Sequence, residues 1–176
     1  MKDFTVLEGY APSEFEEIES EWELKHAIFE QPLAAVPRRA TLVVSVASSV
    51  ADVIRAMNEQ HSGCALVVQG GRLAGIFTER DVLRKVAGST IDVRKTSVAD
   101  VMTSDPDTLP ASASIAFALR KMMEEGYRHL PLVDASGCPE GVIAVRDIVA
   151  WMVSLFPETV QNLPPEPGYP RELDGG

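Results

Sequence analysis

Several residue types that support common kinds of chemistry are scarce in this sequence of 176 residues. The two cysteines, Cys64 and Cys138, are too few for a disulfide framework or a cysteine zinc site. The histidines (His26, His61 and His129) show no metal-ligand spacing, and no G-x-S-x-G nucleophile motif occurs. We therefore expect no metal site and no catalytic centre, so the protein is predicted not to be an enzyme.

Long apolar segments are also missing. No stretch approaches the roughly 18 apolar residues that a membrane-spanning helix needs. The N-terminus contains Lys2, Asp3 and Glu8 and lacks a basic start followed by an apolar run, so it does not resemble a signal peptide. We expect a cytoplasmic protein that does not insert into a membrane.

Negative charge is concentrated at the two ends of the chain. Of the formal net charge of −10, residues 1–36 carry −7, residues 37–156 are neutral, and residues 157–176 carry −3. No basic patch is large enough to predict nucleic-acid binding, whereas a neutral body with several arginines can accept an anionic small molecule. The acidic ends are consistent either with solubility or with contact to a partner.

The strongest pattern in the sequence is a set of three motifs that occurs twice in the same order, about 65 residues apart. The first copy has an apolar helix pattern at residues 50–57, an apolar strand at 64–68, and Gly75-Ile-Phe-Thr-Glu-Arg-Asp81. The second copy has counterparts at residues 115–122 and 129–133, followed by Gly141-Val-Ile-Ala-Val-Arg-Asp147. Tandem copies of this kind predict two similar units packed side by side, with any ligand site in the seam between them.

Hydrophobic periodicity predicts the same β-α-β-β-α order in both copies. The first copy gives residues 41–46, 49–60, 64–68, 73–77 and 79–87, and the second gives 107–109, 114–125, 129–133, 141–145 and 146–156. We therefore predict an α+β fold in which two repeats pack about a pseudo-twofold axis, with their sheets facing and their helices outward. Two related clefts result.

The predicted organisation has four parts. Residues 1–37 form an acidic arm, in which a capping box at Ser13 and Glu16 predicts a helix over residues 14–30 with one apolar face. Residues 38–96 form the first repeat and residues 97–156 the second. Residues 157–176 contain five prolines and no apolar period, which is typical of an extended or disordered tail.

Thr78 and Asp81 fall where a predicted strand ends and a helix begins. A carboxylate in this first turn can accept hydrogen bonds from ribose hydroxyls, and the helix start favours a nearby phosphate. A capping box explains the same spacing without any ligand. In the second copy Asp147 is kept, but Ala144 replaces the threonine.

These motifs, together with Val98-Ala-Asp-Val-Met-Thr103 and Tyr127-Arg-His-Leu-Pro131, resemble a tandem pair of CBS (cystathionine β-synthase) domains, known as a Bateman module, over about residues 38–156. The resemblance implies a regulatory, energy-sensing module that binds AMP, ADP or ATP in the seam and signals to a separate partner protein. It also implies a homodimer formed through the outward helices, with no cofactor required beyond the regulatory nucleotide.

The resemblance also implies which residues form each cleft. The cleft with Thr78 and Asp81 would face Arg128, His129 and Arg146 of the other repeat, while the cleft with Asp147 would face only Arg80. Adenine contacts would come from residues 40–43 and 64–66, including Ala40 and Ala65, in the first cleft, and from residues 102–104 and 130–132, including Thr103, in the second. We therefore expect one strong nucleotide site per chain.

Two alternative functions remain open at this stage. The chain could be a dimerisation or scaffold protein that needs no ligand and docks partners through its acidic arm and proline-rich tail. It could also sense another adenosyl compound, such as S-adenosylmethionine or a dinucleotide. The sulfonium of S-adenosylmethionine carries positive charge, which is disfavoured beside Arg128 and Arg146.

Overall fold

A computed structural model of the chain describes residues 26–155. The first repeat contains β1 (Val43–Ser45), α1 (Val50–Glu59), β2 (Cys64–Gln69), β3 (Arg72–Thr78) and α2 (Glu79–Asp81, continued by a π-helical turn over Val82–Val86). The second contains β4 (Thr103–Ser104), α3 (Ile115–Glu125), β5 (His129–Val133), β6 (Pro139–Ala144) and α4 (Val145–Leu155). The predicted α+β class is confirmed.

Two predicted elements differ from the structure or extend beyond it. The strand expected at residues 107–109 is reduced to a single parallel bridge between Leu109 and Leu132. Of the helix expected over residues 14–30, residues 26–29 are helical, and the remainder except Glu30 lies outside the described residues. The predicted tail at 157–176 also lies outside them.

The helices form where a capping serine precedes an apolar stripe. Ser49 and Ser114 accept hydrogen bonds from the backbone N–H groups of Asp52 and Phe117, which caps α1 and α3. Each helix then buries three apolar residues at intervals of three and four, which matches one helical face. These residues are Val50, Val53 and Met57 in α1, and Ile115, Ala118 and Met122 in α3.

The sheets follow the repeats only in part. In the first sheet β1 runs parallel to β2, β2 is antiparallel to β3, and β4 adds to the outer edge of β3 with Ile76 opposite Thr103. The second sheet contains β5 and β6, with His129 opposite Ala144. β4 belongs to the start of the second repeat in the chain, but it pairs with β3. The first sheet therefore includes a strand from the second repeat.

Two segments cross between the repeats, and we call them the crossing segments (residues 31–36 and 97–104). Leu33 is fully buried among the apolar residues of the second repeat, and its N–H donates to the carbonyl of Ala113 at 2.9 Å. Val98 is fully buried in the core of the first repeat and donates to the carbonyl of Ser48 at 2.8 Å. The second repeat is therefore completed by the segment before the first repeat, and the first repeat by the segment that begins the second.

A third, smaller apolar cluster joins the two sheets. Leu66 and Ile76 of the first sheet pack against Val142 of the second. The N–H of Leu73 donates to the carbonyl of Gly137 at 3.0 Å, which links the two hairpin regions. No helix within residues 26–155 has the length and apolar character needed to cross a membrane.

Candidate functional site

A cleft of about 490 Å³ opens where the β3–α2 turn of the first repeat faces β5 of the second. It is lined by residues of both repeats and of the second crossing segment. Of the predicted site residues, the cleft brings together Thr78, Arg80, Asp81, Thr103, Arg128 and His129. It does not include Ala40, Ala65, Arg146 or Asp147 among its lining residues.

Asp81 lines this cleft and is buried, with 7% of its surface exposed. Its Oδ2 accepts hydrogen bonds from the backbone N–H of Thr78 at 3.0 Å and from the Thr78 hydroxyl at 2.7 Å. The backbone N–H of Asp81 in turn donates to Thr78 Oγ1 at 3.3 Å. The capping box considered from the sequence is therefore present, and it fixes the carboxylate at the strand-to-helix junction.

Lys85 is a second partner of Asp81 that the sequence reasoning missed. Its Nζ lies 2.8 Å from Asp81 Oδ1 and donates to the carbonyls of Val101 and Met102 at 2.9 and 3.0 Å. The i,i+4 spacing of Asp81 and Lys85 on one helix face was the available signal. Lys85 thus connects α2 to the second crossing segment and offsets the charge of Asp81.

These contacts keep the carboxylate ionised. Burial, the largest single influence, acts to raise the pKa of Asp81, but the hydrogen bonds from Lys85 and Thr78 together outweigh it. The pKa of Asp81 is therefore held below its ordinary value. The cleft contains a fixed acceptor of hydrogen bonds at neutral pH.

Thr103 lies in the cleft opposite to the one expected from the family resemblance. Its hydroxyl is 3.4 Å from Asp81 Oδ1, because β4 pairs with β3 and places Thr103 across from Ile76. Leu130 and Pro131, from the same expected set, also line this cleft. Thr103 reaches the cleft of Asp81 because residues 97–104 cross to the first repeat.

Ala40 and Ala65 were expected in the cleft of Asp81, and the structure places them elsewhere. Ala65 is fully buried in the apolar core of the first repeat, so its side chain lines no cleft. Ala40 is exposed, and the adjacent Thr41 has its Oγ1 3.7 Å from the point where a Cβ on Gly141 would lie. The segment around Ala40 therefore lies beside β6 of the second repeat.

The basic residues are also distributed differently from the expectation. Arg128 and His129 line the cleft of Asp81, as expected, and Arg84 is an additional lining residue. Arg80, expected in the other cleft, lines this one, and its Nη1 donates to the carbonyl of Gly126 at 3.0 Å. Gly126 ends α3 in a left-handed conformation with φ 69°. Arg80 thus joins the two repeats at the rim of the cleft.

The corresponding strand-to-helix junction of the second repeat, at Asp147, lacks most of these features. Asp147 Oδ2 accepts from the N–H of Ala144 at 3.1 Å, and Arg146 Nε lies 3.8 Å from its Oδ1. Ala144 supplies no hydroxyl, and Trp151 stands four residues after Asp147, where the first repeat has Lys85. Arg146, expected to reach into the first cleft, instead lies beside Asp147.

Metal binding has no structural support within residues 26–155, where no three His, Cys, Asp or Glu residues converge as metal ligands would. The same residues contain a cleft with the fixed carboxylate of Asp81, the hydroxyls of Thr78 and Thr103 beside it, and several basic side chains among the remaining lining residues. This arrangement can bind a polar molecule that carries hydroxyls at one end and negative charge at the other.

Comparison with known proteins gives a consistent picture. A family model described as "CBS domain" matches residues 33–88 and 98–154. A CBS domain-containing protein of Arabidopsis thaliana, CBSCBSPB1, is 36% identical over 108 residues, which is 61% of this chain and 19% of that protein. An uncharacterized 17.7 kDa protein of Acidianus ambivalens is 30% identical over 114 residues, 64% of this chain and 68% of that protein. The chain thus spans a small part of the first relative.

Solved structures are similar over most of the described region. A putative signal-transduction protein with CBS domains from Burkholderia ambifaria has a TM-score of 0.62 and 34% identity, covering 69% of this chain and 90% of that one. A CBS domain protein from Pyrobaculum aerophilum, complexed with AMP, has a TM-score of 0.61 and 21% identity, covering 70% and 98%. At this low identity the second likeness supports the fold alone.

Proposed function

This chain belongs to the CBS domain family, and we propose that it is a non-catalytic regulatory module that binds an adenosine nucleotide in the cleft of Asp81. The observation that carries this proposal is the meeting, in one cleft, of the Thr78–Asp81 pair from the first repeat with Arg128 and His129 from the second. A ligand held by both repeats can alter how they pack. Such a change would be the signal to a separate partner protein.

The carboxylate of Asp81 is suited to hold a ribose. Its Oδ1 has a close ionic partner in Lys85, but the second contact on this oxygen, from Thr103, is long at 3.4 Å. A ribose hydroxyl can replace this weak contact and donate to the same oxygen. Thr78 and Lys85 hold the carboxylate in place, so binding requires little reorganisation.

The rim of the cleft is suited to hold phosphate. Two of the three carboxylates that line the cleft have a lysine partner: Asp81 pairs with Lys85, and Asp107 with Lys121 at 3.0 Å. The third, Glu79, is outnumbered by the lining arginines Arg80, Arg84 and Arg128. Each charge-assisted hydrogen bond from arginine to phosphate contributes about 1.5–3 kcal/mol. AMP is the first candidate ligand, with ADP and ATP as further candidates. The Pyrobaculum protein, which shares this fold, was solved as a complex with AMP, so AMP is the first compound to test.

The test is a thermal-shift and calorimetry panel with AMP, ADP, ATP, S-adenosylmethionine and NAD. A nucleotide at 100 times its dissociation constant should add about 2.7 kcal/mol to the free energy of unfolding. We expect stabilisation by a phosphate-bearing nucleotide with one strong site per chain, loss of the effect in Asp81→Ala, and retention in the matched variant Asp147→Ala. No shift with any compound would favour the scaffold function, and two equal sites would contradict the assignment of a single cleft.

We further propose that two copies of the chain associate through α2 and α4. Leu83 and Val149 each stand two residues after the aspartate of their repeat, and both are exposed, with 73% and 51% of their surface accessible. Val153 adds to the exposed apolar surface of α4. Sedimentation analysis should show a dimer, with and without AMP, that Leu83→Glu weakens; a wild-type monomer under both conditions would contradict this proposal.

A further inference from the structure

We propose that the phosphate end of this cleft is proton-linked, so that nucleotide binding is accompanied by proton uptake at His129. This inference rests on the proposed function and adds a mode of regulation to it. A module of this kind would respond to pH as well as to nucleotide concentration. The histidine is the side chain whose ordinary pKa lies closest to physiological pH.

His129 lies at the point where the two repeats approach one another. It begins β5, lines the cleft and is only partly exposed. Its Nε2 lies 3.3 Å from the position that a Cβ on Gly63 would occupy, and Glu79 Oε2 lies 3.6 Å from the same position. The imidazole and the carboxylate of Glu79 therefore both approach Gly63, and a side chain at this position would crowd the imidazole.

Charged groups from two helices and from the residue before β5 act electrostatically on this imidazole. Helix α2 contributes Glu79, α4 contributes Arg146 and Asp147, and β5 itself is preceded by Arg128. Burial and then Arg146 lower the pKa of His129, with a further contribution from Arg128, and together they outweigh the opposing effect of Glu79 and Asp147. The balance of these groups therefore favours the neutral imidazole.

The remaining titratable neighbour does not compete for the proton. Cys64 lies on β2 near Arg146, Asp147 and Glu79, and burial raises the pKa of its thiol to about 12. The thiol therefore stays uncharged throughout the physiological range. Within this group, His129 is the side chain whose protonation can change when a ligand enters.

A bound phosphate changes the balance at His129. Its negative charge beside the imidazole favours the protonated form, which raises the pKa of His129 in the complex above its value in the free protein. Because the complex then binds more protons than the free protein, affinity increases as the pH falls between these two pKa values. Linkage limits this change to about tenfold per pH unit for one proton.

The experiment is isothermal titration calorimetry with AMP in several buffers of different ionisation enthalpy at constant pH. The dependence of the observed enthalpy on the buffer gives the number of protons taken up. Titrations from pH 6.5 to 8.5 stay above the second pKa of the phosphate, which is about 6. We expect an uptake between zero and one proton per site, and an affinity that rises toward pH 6.5.

Two controls assign the proton. Adenosine, which lacks the phosphate, should bind without proton uptake, and His129→Asn should bind AMP with no uptake. Glu79→Gln, at an exposed position, should shift the uptake to lower pH because the carboxylate that favours the imidazolium is gone. This second variant keeps the test informative if His129→Asn does not fold.

The outcomes separate the two proposals. AMP binding by the wild type with no proton uptake, or with the same uptake in His129→Asn, would overturn proton linkage and leave the proposed function intact. Absence of AMP binding by the wild type would overturn both.

Discussion

Asp81 has a structural role at the junction where we propose that a ligand binds. Its carboxylate caps α2 through Thr78 and is tied to the second crossing segment through Lys85, whose Nζ also binds two backbone carbonyls. The buried carboxylate is stable as an anion because these donors replace the water that it loses. The residue that organises the junction is therefore the one that a ribose would meet.

We predict that Lys85→Met lowers the free energy of unfolding by about 1–3 kcal/mol at pH 7, since it leaves a buried carboxylate with fewer partners. Lys95→Met is the matched control, because Lys95 and its partner Asp92 are both exposed and 3.6 Å apart, and we expect a change within about 0.5 kcal/mol. Urea unfolding followed by circular dichroism measures both variants. Equal effects would contradict the structural role of Lys85.

The ion pair between Lys85 and Asp81 also predicts that the effect of Lys85→Met on the free energy of unfolding depends on pH. The pKa of Asp81 is lower in the folded protein than in the unfolded chain, where it is about 4. The ionised carboxylate therefore stabilises the fold at pH values above about 4, and this stabilisation is lost as the pH falls through the pKa of the folded protein. The cost of Lys85→Met should therefore decrease between pH 5 and pH 3 in urea titrations. A cost that stays constant over this range would show that Lys85 acts through packing alone.

The residues of the cleft were predictable to different degrees. Thr78, Asp81, Arg128 and His129 stand in motifs that the repetition makes visible, and the structure places all four in one cleft. Lys85 was missed because its partner is set by helical spacing and not by a motif. Ala65 was misplaced because the sequence shows that it lies in a strand but not which face of the strand it occupies.

At the scale of elements, the edge strand β4 determines what borders the cleft. β4 approaches β3 closely at Gly75, where a Cβ would collide with Met102 Sδ and lie 2.9 Å from the carbonyl oxygen of Thr103. The absence of a side chain at Gly75 therefore allows β4 to pair and Thr103 to reach Asp81. The shape of the cleft depends on this one close approach.

We predict that Gly75→Ala destabilises the fold by about 1–3 kcal/mol through overpacking and also weakens AMP binding, because β4 must move away from Asp81. Gly71→Ala is the control. Gly71 has φ 81° in the β2–β3 turn with open space around it, so alanine there costs about 1–2 kcal/mol of backbone strain without touching the cleft. Calorimetry with AMP should separate the variants, and equal affinities would contradict the proposed dependence.

The order of elements was predictable, whereas the partner of each segment was not. The helices and strands follow local signals in the sequence. These signals are apolar residues repeated every two residues in strands and every three to four in helices, together with the capping serines Ser49 and Ser114. The short β4 and the bridge at Leu109 depend on pairing between distant segments. Such pairing is set by tertiary packing, so the positions of residues 40–43 and 102–104 relative to the cleft could not be inferred from spacing.

At the scale of the whole molecule, the crossing segments make the two repeats depend on each other. Leu33 precedes the first repeat in the chain but is buried with Leu132, Ile143 and other residues of the second. Val98 lies at the start of the second repeat but completes the core of the first. Neither core is complete without the other half of the chain, which favours a single cooperative unfolding transition.

We predict that Leu33→Ala costs about 2–5 kcal/mol and lowers the stability of both repeats together. Hydrogen exchange should show faster global opening at amides of β2 in the first repeat as well as β5 in the second. Val43→Ala, at an exposed position in β1, is the control and should change stability by less than about 1 kcal/mol. Faster exchange confined to the second repeat would contradict the mutual dependence of the repeats.

The crossing also sets an order of events while the chain is being made. Leu33 and Val36 leave the ribosome before Leu132 and Ile143, the residues with which they are buried, because those lie more than 95 residues further along the chain. At synthesis rates of about 5–20 residues per second, these two apolar side chains wait on the order of ten seconds for their partners. A nascent chain of this protein therefore has exposed apolar surface near its start, and chaperones can bind it until the second repeat emerges.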